Sequence, residues 1–302
     1  MPTRRRLLAL LAGVLVVLLV VLGVRLIWHK AKNALTYPHC TVTQPASGGS
    51  ATQTDASVST TQSAGEVSYD VTTDQAAVAS TMVGVVAARG LPDQAAVLVL
   101  AAAWQESKLR NLPAGSGDRD SIGVLQQRPS QGWGSEEQLS DVQYATGKFL
   151  DALVKFDDWQ TVPLAEAIQR VQISADGSAY NQHADQARVL ALALLGKPAE
   201  SISCTFDKPT LVATAQTVAD QVAGDLPVKT PTVQDDAVLV PGAGNQTIAW
   251  FIANADRLGI DSVQHGRREW SRAQGWGEIN CDCTEYDKAV AAIMATTAPT
   301  TS

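Results

Sequence analysis

The hydrophobic pattern is strongest from Ala95 to Trp104, where every side chain is apolar. A helix with no polar stripe has no solvent face, so this run predicts a helix through the middle of a domain. Pro92 suits its first turn, where the missing N–H would be unpaired anyway, and Asp93 complements the positive end. Glu106 then sits where the buried helix surfaces. Thr73 can cap a helix over 74–89 that stops at Gly90. Further helical patterns cover 136–155, 164–174 and 182–195.

Strand-like alternation marks CTVT (40–43) and EVSYDV (66–71), which can pair as a hairpin. Between them, residues 45–65 hold almost no large apolar side chain and are expected to form a flexible insertion. From 211 the pattern shifts to a helix over 211–226, a strand at AVLVP (237–241), a helix over 247–258, then strands at DSVQH, REW and WGEI. The fold class expected is mainly α: a helical domain over 37–205, a smaller α+β domain over 206–295, and a loose tail at 296–302.

Residues 7–24 form an uncharged apolar run, and at about 1.5 Å per residue its helix would approach the roughly 30 Å hydrocarbon thickness. Leu26, Ile27 and Trp28 extend it, and no Ala-x-Ala cleavage site comes after it. The sequence therefore predicts a cytoplasmic basic end at 1–6, a single-pass anchor in the cytoplasmic membrane over 7–28 and a juxtamembrane segment over 29–36. Charge orients it weakly, because Arg4, Arg5 and Arg6 face Arg25, Lys30 and Lys32. The Ser/Thr/Gln/Gly-rich stretch and the cysteines beyond the span place the body outside the cell, with a cell-membrane localisation.

Length and composition permit two modest domains: 302 residues, 45% hydrophobic. The formal net charge of -7 argues against nucleic acid as a partner, since phosphate contacts need a basic face. The four cysteines are Cys40, Cys204, Cys281 and Cys283. His183, His265, Cys281 and Cys283 lack zinc-site spacing, so no metal and no cofactor are expected. Cys281 and Cys283 can bridge locally or pair elsewhere, and the sequence does not choose.

Two effects act on Glu106. Partial burial disfavours its charged form and so does the negative end of the helix, so both raise its pKa. A carboxylic acid that stays protonated near neutrality can donate to a leaving glycosidic oxygen. The plainer reading is a helix-end carboxylate paired with Lys108 or Arg110. Gln126 and Gln127 offer paired donors and acceptors that suit a sugar-binding wall or, equally, a loop backbone. Trp133, between two glycines, can stack on a sugar or join the core. Trp276 repeats its Gln-Gly-Trp-Gly setting.

The segment from the end of the central helix onward resembles the lysozyme-like superfamily, in particular soluble lytic transglycosylases and goose-type lysozymes. The matching residues are Glu106-Ser107, the loop Gly117-Asp118-Arg119-Asp120-Ser121, and Gly123-Val124-Leu125-Gln126. The ordered segments ES.LRNL (106–112), GDRDS.G..QQRPSQGWG (117–134) and VQ…AY..H (171–183) resemble a set of bacterial envelope proteins, over roughly residues 37–205. The resemblance implies Glu106 as catalytic acid and base. It also implies a groove shaped by Ser107, Gln126, Gln127, Gln172 and Tyr180, and a Cys40–Cys204 disulfide that closes the domain. Asp118 stands near where goose-type enzymes carry an auxiliary carboxylate. Facing the cleft it would support inverting hydrolysis, whereas capping its loop it would leave transglycosylation. The family's Ala-Tyr-Asn-Ala-Gly reads Ala179-Tyr180-Asn181-Gln182-His183 here, and its Arg and Pro are replaced by Ile173 and Gly177.

The expected function is thus a membrane-tethered enzyme that cleaves peptidoglycan glycan strands at the β-1,4 bond between N-acetylmuramic acid and N-acetylglucosamine. The alternative is an inactive lysozyme-like protein that binds peptidoglycan, or an envelope scaffold meeting other envelope proteins through residues 206–295.

Overall fold

The chain adopts a mixed α+β architecture in which the apolar helix anticipated at Ala95–Trp104 is surrounded by four others. The structure, a computed structural model, describes residues 37–46, 60–63, 65–173, 177–206, 212–280 and 289–294. In order, the first elements are β1 (His39–Pro45), β2 (Thr60–Ser63), β3 (Glu66–Thr72), α1 (Thr73–Ala88) and α2 (Asp93–Ser107). Then come α3 (Glu136–Ser140), α4 (Val142–Leu153), α5 (Leu164–Gln172), a 3₁₀ turn at Ser178–His183, α6 (Ala184–Leu194) and β4 (Ile202–Thr205). The remainder is α7 (Ala215–Asp225), β5 (Thr232–Gln234), β6 (Ala237–Pro241), α8 (Asn245–Ala253), α9 (Ala255–Leu258), β7 (Ile260–His265), β8 (Arg268–Ser271), β9 (Gly275–Glu278) and β10 (Ala289–Met294).

Helix α2 is sealed on every side: from Ala95 to Ala103 all residues but Val97 are 0% exposed. Helices α1, α4, α5 and α6 enclose it, as expected for a helix that lacks a polar face. At its start Pro92 is the N-cap, and the helix begins one residue later, at Asp93. The N-cap of α1 is Thr72 instead of the expected Thr73. Its hydroxyl accepts from the Gln75 N–H while the Gln75 side chain reaches back to the Thr72 N–H, a reciprocal capping box. The single helix expected over 136–155 is two. Asp141, with φ -85° and ψ 117°, ends α3 in an extended conformation and caps α4 through the N–H groups of Gln143 and Tyr144.

Four antiparallel strands in the order β2-β3-β1-β4 form the first sheet. β1 pairs with β3 from His39↔Thr72 to Pro45↔Glu66. On its other edge, Cys40 lies directly opposite Cys204 of β4, and the two form a disulfide. The segment expected as a featureless insertion over 45–65 supplies β2, and the rest of it, 47–59 and 64, lies outside the described residues. The second sheet has six antiparallel strands in the order β5-β6-β10-β7-β8-β9.

The expectation of a mainly α fold is therefore corrected: 45% of the structure is helix and 21% is strand, with both sheets antiparallel. The strands that escaped prediction have physical reasons to do so. β10 is alanine-rich, a composition that favours helix, yet it pairs on both sides as a central strand; tertiary pairing overrides local preference there. β5 is three exposed residues long, and β2 is polar throughout.

Described residues from Pro38 onward fall in one compact unit, and their buried side chains form one continuous apolar cluster. Helix α8 links its parts, packing on α1, α6, β4 and β7. Gly84 of α1 lies against the end of α7: a Cβ there would stand 2.3 Å from the Asp225 carbonyl oxygen. Asp225 in turn accepts from Trp250 Nε1 and Thr81 Oγ1, both at 2.8 Å.

The span expected over 7–28 lies outside the described residues, as do Cys281 and Cys283. Among the described residues no helix is long and apolar enough to cross a membrane. The expected single-pass, membrane-bound localisation is corrected on that finding.

Candidate active site

The end of α2 organises the site. Two successive non-glycine residues, Lys108 (φ 57°) and Leu109 (φ 55°), take the left-handed conformation and turn the chain sharply. Their N–H groups satisfy the carbonyls of Trp104 and Ala103, and burial of Leu109 at 0% exposure offsets the strain. Just before the turn, Ser107 is buried. Its hydroxyl donates to the Val124 carbonyl at 2.7 Å and accepts from the Arg110 N–H at 3.1 Å. Ser107 thus fastens the helix end to the loop carrying Gly123–Gln127.

Glu106 points the other way. Tyr180, 1% exposed in the 3₁₀ turn, donates its hydroxyl to Glu106 Oε1 at 2.7 Å. Gln172, at the last position of α5, hydrogen-bonds the same carboxyl group and donates Nε2 to the Leu125 carbonyl at 3.1 Å. Three separate segments, α2, the end of α5 and the 3₁₀ turn, therefore converge on one carboxyl group. Burial pushes the Glu106 pKa above the ordinary glutamate value, and the hydrogen bonds from Tyr180 and Gln172 pull it back only partly. Among the described residues no Lys, Arg or His forms an ion pair with it. The pairing with Lys108 or Arg110 considered from the sequence is not formed: Arg110 Nε donates instead to the Ser107 carbonyl.

The remaining sequence candidates lie in and beyond the adjoining loop. Gln127 is buried, exchanges backbone hydrogen bonds with Ile122, and donates Nε2 to the Ala145 carbonyl at 3.2 Å. Its Oε1 is buried with no partner among the described residues. Gln126, at φ 47°, folds back to donate to the Gly123 carbonyl, with its Oε1 lying where a Cβ on Gly117 would be. Trp133 is half-buried against the apolar cluster, and its carbonyl accepts from Tyr144 at 3.4 Å. Asp118 leaves 89% of its side chain exposed, with Arg119 Nε 3.7 Å away. The structure thus brings Glu106, Ser107, Gln172 and Tyr180 together, and turns Gln126, Gln127 and Asp118 to the loop interior, the α4 backbone and solvent.

Several participants were missed in the sequence. Asp120, not Asp118, braces the loop: Ser130 and then Arg128 hold its carboxyl well below the usual carboxylate range, with Arg128 Nε at 2.6 Å and the Ser130 N–H at 2.8 Å. Beside Glu106, Gln105 Oε1 accepts from Gln182 Nε2 at 3.0 Å and meets His183 Nε2 at 3.0 Å. His183 Nδ1 meets Gln186 Nε2 at 2.6 Å. Trp104 lies against the His183 ring, centroids 6.4 Å apart, and its Nε1 is buried without a partner among the described residues. The i,i+3 spacing of His183 and Gln186 was visible; that Gln105 would meet it was not.

Among the described residues no group of three or more His, Cys, Asp or Glu side chains could hold a metal ion. No family model matches this chain, and a search of curated proteins finds no match.

Proposed function

We propose that the protein cleaves peptidoglycan glycan strands at the β-1,4 bond between N-acetylmuramic acid and N-acetylglucosamine, as a lytic transglycosylase or muramidase-like glycosidase. Glu106 protonates the leaving oxygen and then accepts a proton as base. The observation that carries this reading is a desolvated carboxyl group, free of ion pairs among the described residues, held at 2.7 Å by Tyr180. Such a group is poised as a general acid. Tyr180 and Gln172 orient the carboxyl group, and burial favours its protonated form.

Asp118 leaves 89% of its side chain in solvent, and no hydrogen bond among the described residues fixes its carboxylate as the water-steering group of a two-carboxylate hydrolase. That favours transglycosylation, in which the substrate's own 6-hydroxyl closes on the anomeric carbon, over a two-carboxylate hydrolysis. Mass spectrometry of purified cell wall digested by the protein tests this. Anhydro ends support the lytic route and reducing ends support hydrolysis. A digest with neither contradicts the proposal.

A second reading, a lysozyme-like domain that binds glycan or scaffolds an envelope assembly without cleaving, is favoured by one observation. Where the resembling lysozyme-like enzymes have Ala-Gly after Tyr-Asn, this chain has Gln182 and His183, both in contact with Gln105 beside Glu106. Muropeptide binding with no released ends distinguishes it.

A further inference from the structure

At the junction of β6 and α8 the chain reads Pro241-Gly242-Ala243-Gly244-Asn245-Gln246-Thr247, a strand, a glycine-rich turn and a helix of nine residues. The turn opens on a cavity of about 540 Å³. Gly244 is the N-cap and carries no side chain, so nothing from the cap residue satisfies the first turn of α8. The N–H groups of Thr247 and Ile248 go to the Gly244 carbonyl; those of Asn245 and Gln246 have no partner among the described residues. Gly196, at φ +70°, presses so close that a Cβ there would be 2.7 Å from the Gln246 nitrogen.

Two unpartnered polar side chains accompany the helix end. Thr247 lines the cavity, is only 3% exposed, and its hydroxyl makes no hydrogen bond among the described residues. At the third helical position its Cβ tilts back toward the N-terminus, which brings the hydroxyl to the open first turn. Gln246 also lines the cavity, and its Nε2 is a buried donor without a partner among the described residues. A buried donor left unmade is destabilising, and a ligand oxygen that accepts from it relieves that penalty. Lys229, also lining it, is exposed, makes no ion pair among the described residues, and puts Nζ 3.5 Å from where a Cβ of Gly242 would be. Lys197 stands at the wall, shared with Asp93 at 2.9 Å. No Asp or Glu lines the cavity among the described residues, in a chain of net charge -7.

We propose that this cavity binds a phosphoryl group, either free phosphate or the terminal phosphate of an ester. The helix end supplies oriented N–H groups and a positive dipole, and Lys229 supplies a full charge. The amide of Gln246 and the hydroxyl of Thr247 extend the donor set around more oxygens than a carboxylate carries. The site does not involve Glu106, so it stands or falls separately from glycan cleavage.

Titration calorimetry of the full chain with inorganic phosphate and with glycerol 3-phosphate tests it, on wild type, Lys229→Gln, Thr247→Val and the exposed control Lys155→Gln. Both site variants are expected to weaken binding, Lys229→Gln by roughly tenfold, as for loss of one charge-assisted hydrogen bond. The control should bind as wild type. Tighter binding of glycerol 3-phosphate identifies an ester as the ligand; equal binding identifies the free ion. Absent binding of both probes, unchanged affinity in the two site variants, or an equal loss in the control overturns the proposal.

Discussion

Tyr180 donates its hydroxyl to Oε1 of Glu106 at 2.7 Å, across 74 residues of sequence. The bond does two opposing things. It positions the carboxyl group, and by favouring the charged form it limits how far burial raises the pKa.

Removing that hydroxyl should separate the two effects. In Tyr180→Phe the Glu106 pKa is expected to rise further, because the larger cause, burial, remains while one lowering hydrogen bond is gone. If Glu106 is the general acid, the limb of the pH–activity profile on which its proton is lost moves to higher pH. Stability falls by about 1–2 kcal/mol for the lost buried hydrogen bond, measurable by urea unfolding. A profile unmoved by the substitution contradicts the assigned role.

Stability itself should depend on pH through Glu106. Its folded-state pKa is raised, so the favourable contribution of the neutral form is present below the unfolded value and is lost as pH rises through the folded value. Glu106→Gln, which stays neutral, should therefore gain in melting temperature relative to wild type as pH rises above the ordinary glutamate value. Asp120 has the opposite sign. Its depressed folded pKa contributes stability above the unfolded value, which disappears as pH falls through the folded value. A gap between wild type and Glu106→Gln that stays constant as pH rises contradicts the raised pKa.

The Cys40–Cys204 bridge closes a separation of 164 residues. Breaking it in Cys40→Ser/Cys204→Ser is expected to cost about 2–5 kcal/mol, seen as a lower midpoint in denaturant. Because β1 and β4 still pair around it, the fold measured by far-UV circular dichroism should persist.

Gly84 tests how tightly the segment after β4 is seated on the helices. Alanine there would place a methyl group 2.3 Å from the Asp225 carbonyl oxygen. The expected loss is about 1–3 kcal/mol, despite the better helix propensity of alanine; a neutral or stabilising outcome would mean that this contact yields freely.

The sequence was most legible where one physical effect dominated. The unbroken apolar run made α2 readable, and the alternation in CTVT and EVSYDV carried the β1–β3 pairing. The direction in which the Glu106 pKa moves could also be read from where a buried helix surfaces. Legibility failed where long-range contacts decide. β10 is alanine-rich and becomes a strand only because β6 and β7 flank it. Gly-Asp-Arg-Asp-Ser holds two acids two residues apart, and only the fold distinguishes Asp120, tied to Arg128 and Ser130, from Asp118 in solvent. Gln105 and His183, 78 residues apart, carry no local signal that they meet.

The central claim is that a proton on Glu106 breaks a glycosidic bond. The most direct measurement is the rate of soluble muropeptide release from purified cell wall by wild type and by Glu106→Gln, which keeps the acceptor for Tyr180 and removes the acid. The expected result is release by wild type and a loss on the order of 10²–10⁴-fold in the variant. Equal rates in the two proteins, or no release by either, would contradict it.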